Sequence, residues 1–233
     1  MHRWADHRLM ALLGASAATL AIYLIPGLGV IAWPLVLIST LAHELGHGLT
    51  ALLMGGDFVA LFIWPDASGL ALYVARFGRI RHAAAAAGGL LGPPLLAYGL
   101  FVASRRPESA RRSLIVAALL LIVVLLLWAR NLFGALFIGG LSLTLGLIAL
   151  KGSPRIAQLT AVFLAIQLAL SVFSRGDYLF TRSAETAQGT GPSDTSQIAQ
   201  ALFLPYWFWG GLIAVLSLWL IWHGLRAFSA RLH

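Results

Sequence analysis

The run from Val30 to Met54, VIAWPLVLISTLAHELGHGLTALLM, decides the fold of this chain. It carries no charged residue besides Glu44, and its 25 residues are enough to cross a bilayer with room for tilt. Within it lies His43-Glu44-Leu45-Gly46-His47. Histidines at i and i+4 project from one side of a helix, a turn apart, which suits two ligands of one zinc ion. The glutamate beside the first can then serve as general base toward a metal-activated water. HExxH also arises by chance, and on a soluble helix it would be ordinary polar surface. Inside an apolar span that bland reading is weak, because an ionisable side chain there is costly and marks function.

The rest of the composition agrees with a membrane chain. Of 233 residues 60% are hydrophobic and only 10% charged, with mean hydropathy +0.87, far from the balance of a soluble domain. Cysteine is absent, which excludes a disulfide framework and restricts any metal to His, Asp or Glu. The net charge of +8 comes mostly from arginines in short loops. That pattern reads as anchoring to lipid headgroups, and no nucleic-acid motif accompanies it. Arg3 and Arg8 followed by apolar Leu9–Ile25 imitate a secretory signal. The apolar core is longer than a usual signal core, so a retained first helix is expected, turning at Pro26-Gly27-Leu28-Gly29 into the next span.

Seven apolar segments follow one another: Leu9–Ile25, Val30–Met54, Ala83–Ala103, Ser113–Ala129, Leu132–Leu150, Ile156–Phe173 and Ala201–His223. Drawn as one helix, Ser113 to Leu150 would be about 57 Å long, nearly twice the hydrocarbon thickness. Arg130-Asn131 therefore marks a turn or a polar break between two spans. The expected fold is an all-α polytopic membrane protein, a single integral domain over 1–233. It has six or seven transmembrane helices and one small β-hairpin, six if a short span is re-entrant. The hairpin occupies 57–76, where Phe58–Trp64 and Leu70–Ala75 flank Pro65-Asp66-Ala67-Ser68-Gly69. Residues 174–200 form the only long polar loop. Alternating the spans puts eight Lys or Arg on each side, so the positive-inside rule does not decide orientation. The first loops favour a cytoplasmic N-terminus and hairpin.

A catalytic zinc site normally has three protein ligands and an open position. His47 lies seven residues before the end of its span, about 10 Å below that surface. The third ligand should approach from the same side, which offers Asp57, Asp66, Asp177, Glu185 and Asp194, with Glu108 opposite. Asp66 fits local hydrogen bonding in a turn. Asp57 follows Gly55-Gly56 and reads as a strand start. Asp177 opens a segment that could fold back into the cavity. Asp194 could simply be a helix N-cap with Gln197 in the capping-box position, or a carboxylate reaching the metal.

The chain resembles the site-2 protease family of intramembrane zinc metalloproteases, in its small bacterial branch like peptidase family M fifty B. The resemblance rests on Ala42-His43-Glu44-Leu45-Gly46-His47-Gly48, Trp64-Pro65-Asp66-Ala67-Ser68-Gly69 and Ala87-Gly88-Gly89-Leu90-Leu91-Gly92-Pro93-Pro94. It continues with Arg130-Asn131-Leu132-Phe133-Gly134 and Ser193-Asp194-Thr195. It implies a zinc-dependent endopeptidase in the bacterial inner membrane that cleaves membrane proteins or membrane-associated peptides. His43, His47 and Asp194 would bind Zn2+, with Asp177 as the alternative third ligand, and Glu44 would be the general base. Better-known members take the third ligand from a Leu-Asp-Gly motif, which this chain lacks. That departure keeps a catalytically inactive pseudoprotease as the rival, while the intact Glu44 argues against it.

Other features have plainer expectations. Gly88-x-x-x-Gly92 lets helices approach closely in lipid, so Ala83–Pro94 should pack near the HELGH helix. The hairpin could add a substrate strand at its edge. Tyr206-Trp207-Phe208-Trp209 reads as an interfacial belt, and His82 and His223 as span-end residues. Gln158 and Gln167 are candidates for interhelical hydrogen bonds.

Overall fold

Six of the helices are long and apolar enough to cross a bilayer in the computed structural model, which describes residues 10, 12–19, 21–22, 29–74, 78–174, 179–186 and 189–230. They are α1 (Gly29–Leu53), α2 (Arg79–Ala103), α3 (Pro107–Leu127), α4 (Leu132–Lys151), α5 (Pro154–Ser174) and, after a short α6 (Asp194–Leu202), α7 (Tyr206–Ser229). The chain is an integral membrane protein. Of the first apolar segment, Leu9–Ile25, residues 12–19 are helical, and part of it lies outside the described residues.

The seam between α1 and α2 is made of glycine. A Cβ at Gly46 would overlap the Gly88 carbonyl, and one at Gly92 would overlap the Ala42 carbonyl. Backbone therefore meets backbone, the contact that small residues permit in lipid. This is the packing expected of Ala83–Pro94 against the HELGH helix. Gln158 Nε2 donates to Ser104 O at 2.7 Å and Gln167 Nε2 to Thr19 Oγ1 at 2.5 Å, so both glutamines make the interhelical bonds expected of them.

Strands β1 (Asp57–Ile63) and β2 (Gly69–Val74) form the expected antiparallel hairpin. Asp66 Oδ1 closes its turn by accepting from Ser68 N at 2.9 Å and Ser68 Oγ at 2.6 Å, the local role anticipated for it. The hairpin lies back along α1. Trp33 Nε1 donates to Pro65 O at 2.7 Å and Thr40 Oγ1 to Ala67 O at 2.8 Å. Thr40 is about 20 Å from the end of its helix, so the hairpin sits beside the span rather than beyond it. Backbone polar groups at that level need partners within the protein. For β1 the α3–α4 turn supplies them. Leu61 N donates to Trp128 O at 2.7 Å, and Arg130 N to Leu61 O at 3.1 Å. Asn131 Nδ2 donates to Ile63 O at 2.6 Å while its Oδ1 accepts from Ile63 N at 3.3 Å. Arg130-Asn131 is thus the turn expected, and it also seals one edge of the hairpin.

Two expectations need correction. The stretch 174–200 is not simply a polar loop: β3 (Ser183–Thr186) and β4 (Gly189–Pro192) form a second antiparallel hairpin, and α6 follows. Gly189, with φ of 111°, adopts a conformation at the β4 start that a side chain would resist. The last apolar segment, Ala201–His223, is also divided. Ala201 and Leu202 belong to α6, Phe203 adopts a left-handed φ of 71°, and Pro205 caps α7. Proline lacks the N–H that would continue the helix and disfavours helical geometry at Leu204 before it.

Candidate metal centre

α1 presents His43 and His47 on one face, and the first turn of α6 brings Asp194 to them. Their contacting atoms form a nearly equilateral triangle. His43 Nε2 and His47 Nε2 are 3.1 Å apart, and each is 3.2 Å from Asp194 Oδ2. Ligand atoms of a tetrahedral zinc at normal bond lengths lie about 3.3 Å apart, so the triangle matches one face of such a site. All three residues are buried, with 8%, 7% and 3% of their surface exposed. Among the described residues this is the one cluster of three such side chains placed to hold a metal ion.

The surroundings aim these atoms inward. His47 Nδ1 lies 2.9 Å from Ala85 O, which can only accept, so Nδ1 carries the proton and Nε2 keeps its lone pair. That lone pair faces the Asp194 carboxylate, two acceptors that repel unless a cation or a proton lies between them. Asp194 Oδ2 is buried and has no hydrogen-bond partner of its own. These features fit a cation held by two imidazoles and a carboxylate. A Cβ at Gly89 would overlap the His47 ring, so α2 reserves the space that the imidazole fills.

The cap expected at Asp194 belongs to its neighbour. Ser193 is the N-cap of α6, its Oγ accepting from Ser196 N at 3.2 Å. Asp194 is the first helical residue and is released from capping, while Gln197 Nε2 approaches its other oxygen, Oδ1, at 3.4 Å. Asp57 is exposed at the start of β1 and Glu108 is exposed in the first turn of α3. Asp177 lies outside the described residues, and Glu185 sits in β3.

Glu44 is buried beside the two histidines, and its Oε2 accepts from Ala71 N at 2.8 Å. Tyr73, two residues on in β2, lies with its ring 6.2 Å from that of His47 and 15° from parallel. Burial first, then the nearby Asp194 and Glu44 carboxylates, push its phenol up to about 12. A cavity of about 30 Å³ opens beside His43, lined also by Ser39, Leu90, Pro93 and Ser171. It has room for water.

Sequence reasoning missed Tyr73, the Ala85 carbonyl, Ser193 as the cap and Gly89 as the space for His47. Strand alternation carried a signal for Tyr73. Residues 69, 71 and 73 share a face, and Gly69 on that face meets the Glu44 side chain.

A polytopic membrane fold with a buried His-His-Asp cluster beside a carboxylate defines a class of protein. The chain belongs to the Peptidase M50B-like family, whose model matches residues 13–224, within the site-2 protease family of intramembrane metalloproteases. No curated protein and no solved structure matches the chain significantly.

Proposed function

We propose that this protein is a zinc-dependent intramembrane endopeptidase of the bacterial inner membrane, hydrolysing peptide bonds of membrane proteins or membrane-associated peptides. The observation that carries this reading is the buried triangle of His43, His47 and Asp194, with Glu44 beside the two histidines in their apolar span. Those three side chains would hold the ion. Zinc bound there would supply Lewis acidity toward a substrate carbonyl and a water. Glu44 accepts the proton of the attacking water and returns it to the departing amine nitrogen. The outer edge of β2 has no strand partner among the described residues, so an extended substrate could pair with the edge groups that Glu44, bonded to Ala71 N, leaves free. A helical substrate must unwind first, because its amides are otherwise hydrogen-bonded and shielded.

Purified protein should contain about one zinc per chain. Glu44→Gln should keep that zinc and the fold yet lose proteolysis by about 10²-fold or more, because the amide cannot take the proton. Equal cleavage by the wild type and Glu44→Gln would defeat this mechanism.

A further inference from the structure

The face that β2 turns toward α1 carries Gly69, Ala71 and Tyr73 in succession. A Cβ at Gly69 would lie 2.6 Å from Glu44 Cγ and 2.7 Å from Thr40 Cγ2, so only glycine lets the strand come this close. Ala71 is buried and its N–H is bonded to Glu44. The two small residues hold the strand tightly against Glu44, and the third residue of the face is thereby carried over His47. Tyr73 is half-buried there, and its phenol has no hydrogen-bond partner among the described residues. A partly buried tyrosine hydroxyl usually finds one. The neighbouring donors are already committed: His47 Nδ1 to Ala85 O, Thr40 Oγ1 to Ala67 O, and Ala71 N to Glu44. Tyr73 is the neutral donor left over beside the reacting groups.

We propose that Tyr73 is a catalytic residue, its phenol O–H donating a hydrogen bond to the oxyanion that forms at the scissile carbonyl. This rests on the peptidase reading above. As the water oxygen bonds to the carbonyl carbon, the π pair moves onto the carbonyl oxygen and Glu44 takes the water's proton. Tyr73 keeps its own proton throughout and stabilises that oxygen by hydrogen bonding alone. When the C–N bond breaks, the C=O bond re-forms and the amine receives the proton from Glu44. A donor fixed in place before the reaction, in a site shielded from water, acts most strongly where charge develops.

A purely structural tyrosine would orient His47 through its ring, which Tyr73→Phe preserves. The test compares zinc-loaded wild type, Glu44→Gln and Tyr73→Phe in three measurements. These are zinc content, turnover of fluorescein-labelled casein, and affinity for an apolar phosphinic peptide that mimics the tetrahedral centre. Tyr73→Phe should keep wild-type zinc content and KM, lose about 10²–10³ in kcat, and bind the phosphinic peptide weaker by a similar factor. Wild-type kcat and phosphinate affinity in Tyr73→Phe would overturn the proposal while leaving the peptidase reading intact. Loss of zinc in that variant would also overturn it, because the hydroxyl would then be holding the metal site rather than the oxyanion. Zinc-loaded wild type that neither cleaves casein nor binds the phosphinic peptide would sink the peptidase reading, and the role of Tyr73 with it.

Discussion

Helices α1 and α2 enclose the candidate metal centre, and the neighbouring pair α3 and α4 does not, yet α3 and α4 are the more apolar. Only 28% of each span in the second pair is buried, against 50% and 44% in α1 and α2. In a soluble protein the ordering would be reversed, because water drives the most apolar helices inside. Lipid is as apolar as leucine, so α3 and α4 gain little from burying Leu119, Leu126, Leu136 and Leu143, which stay exposed. Their contact is fastened by Ser142 Oγ donating to Ala118 O at 2.8 Å. α1 and α2 instead meet through Gly46, Gly88 and Gly92, and α1 turns Ser39, Thr40, His43, Glu44 and His47 inward. Small and polar positions, more than apolar ones, mark the working part of this molecule.

The largest effects should therefore fall on the seam. His47→Ala removes one corner of the triangle and should abolish stoichiometric zinc and proteolysis together, read by metal analysis of the purified protein. Full zinc occupancy in that variant would show that the assigned ligands are wrong.

Next comes Asp194→Asn, which keeps the side chain's shape. Ser193 does the capping, so the fold should hold. Losing even an outer partner of a metal ligand costs about 10–100-fold in affinity, and losing a ligand should cost at least the upper end of that range. Normal zinc here, with zinc lost in Asp177→Asn, would move the third ligand to Asp177.

Gly89→Ala tests the space reserved for the imidazole. Its added methyl group meets the His47 ring, so it should lower stability by about 1–3 kcal/mol and weaken zinc binding. Thermal unfolding in detergent and a competitive zinc titration would read both, and wild-type values would remove Gly89 from the site. At the far end of the scale, Leu126→Ala on the lipid face of α3 should change stability by less than about 0.5 kcal/mol and leave zinc untouched. A large loss there would mean that this face packs against protein.

Much of the architecture was legible in advance because its signals are local. Unbroken apolar length marked α1 to α5 as spans, the i,i+4 spacing of His43 and His47 placed both on one helical face, and Pro65–Gly69 announced a turn between two strand-like runs. Arg130-Asn131 stood out as polar residues in a stretch too long for one span. The division of the last apolar segment was less visible, because Leu202 and Phe203 are as apolar as the helix after Pro205.

By itself, then, the sequence determined a membrane chain with a paired-histidine helix, a glutamate beside it and a hairpin next in line. Only the tertiary structure brought Asp194 to Nε2 of both histidines, gave the cap to Ser193, laid the hairpin back along α1 and carried Tyr73 over His47. Helical and strand periodicities are fixed by neighbours a few residues away, whereas a carboxylate more than a hundred residues downstream meets its partners only through packing. That packing depends on how α2, α6 and the hairpin dock on α1. Their docking is set by glycine seams, of which only the Gly88-x-x-x-Gly92 spacing shows in the sequence, and by backbone hydrogen bonds, which leave no periodic trace in it.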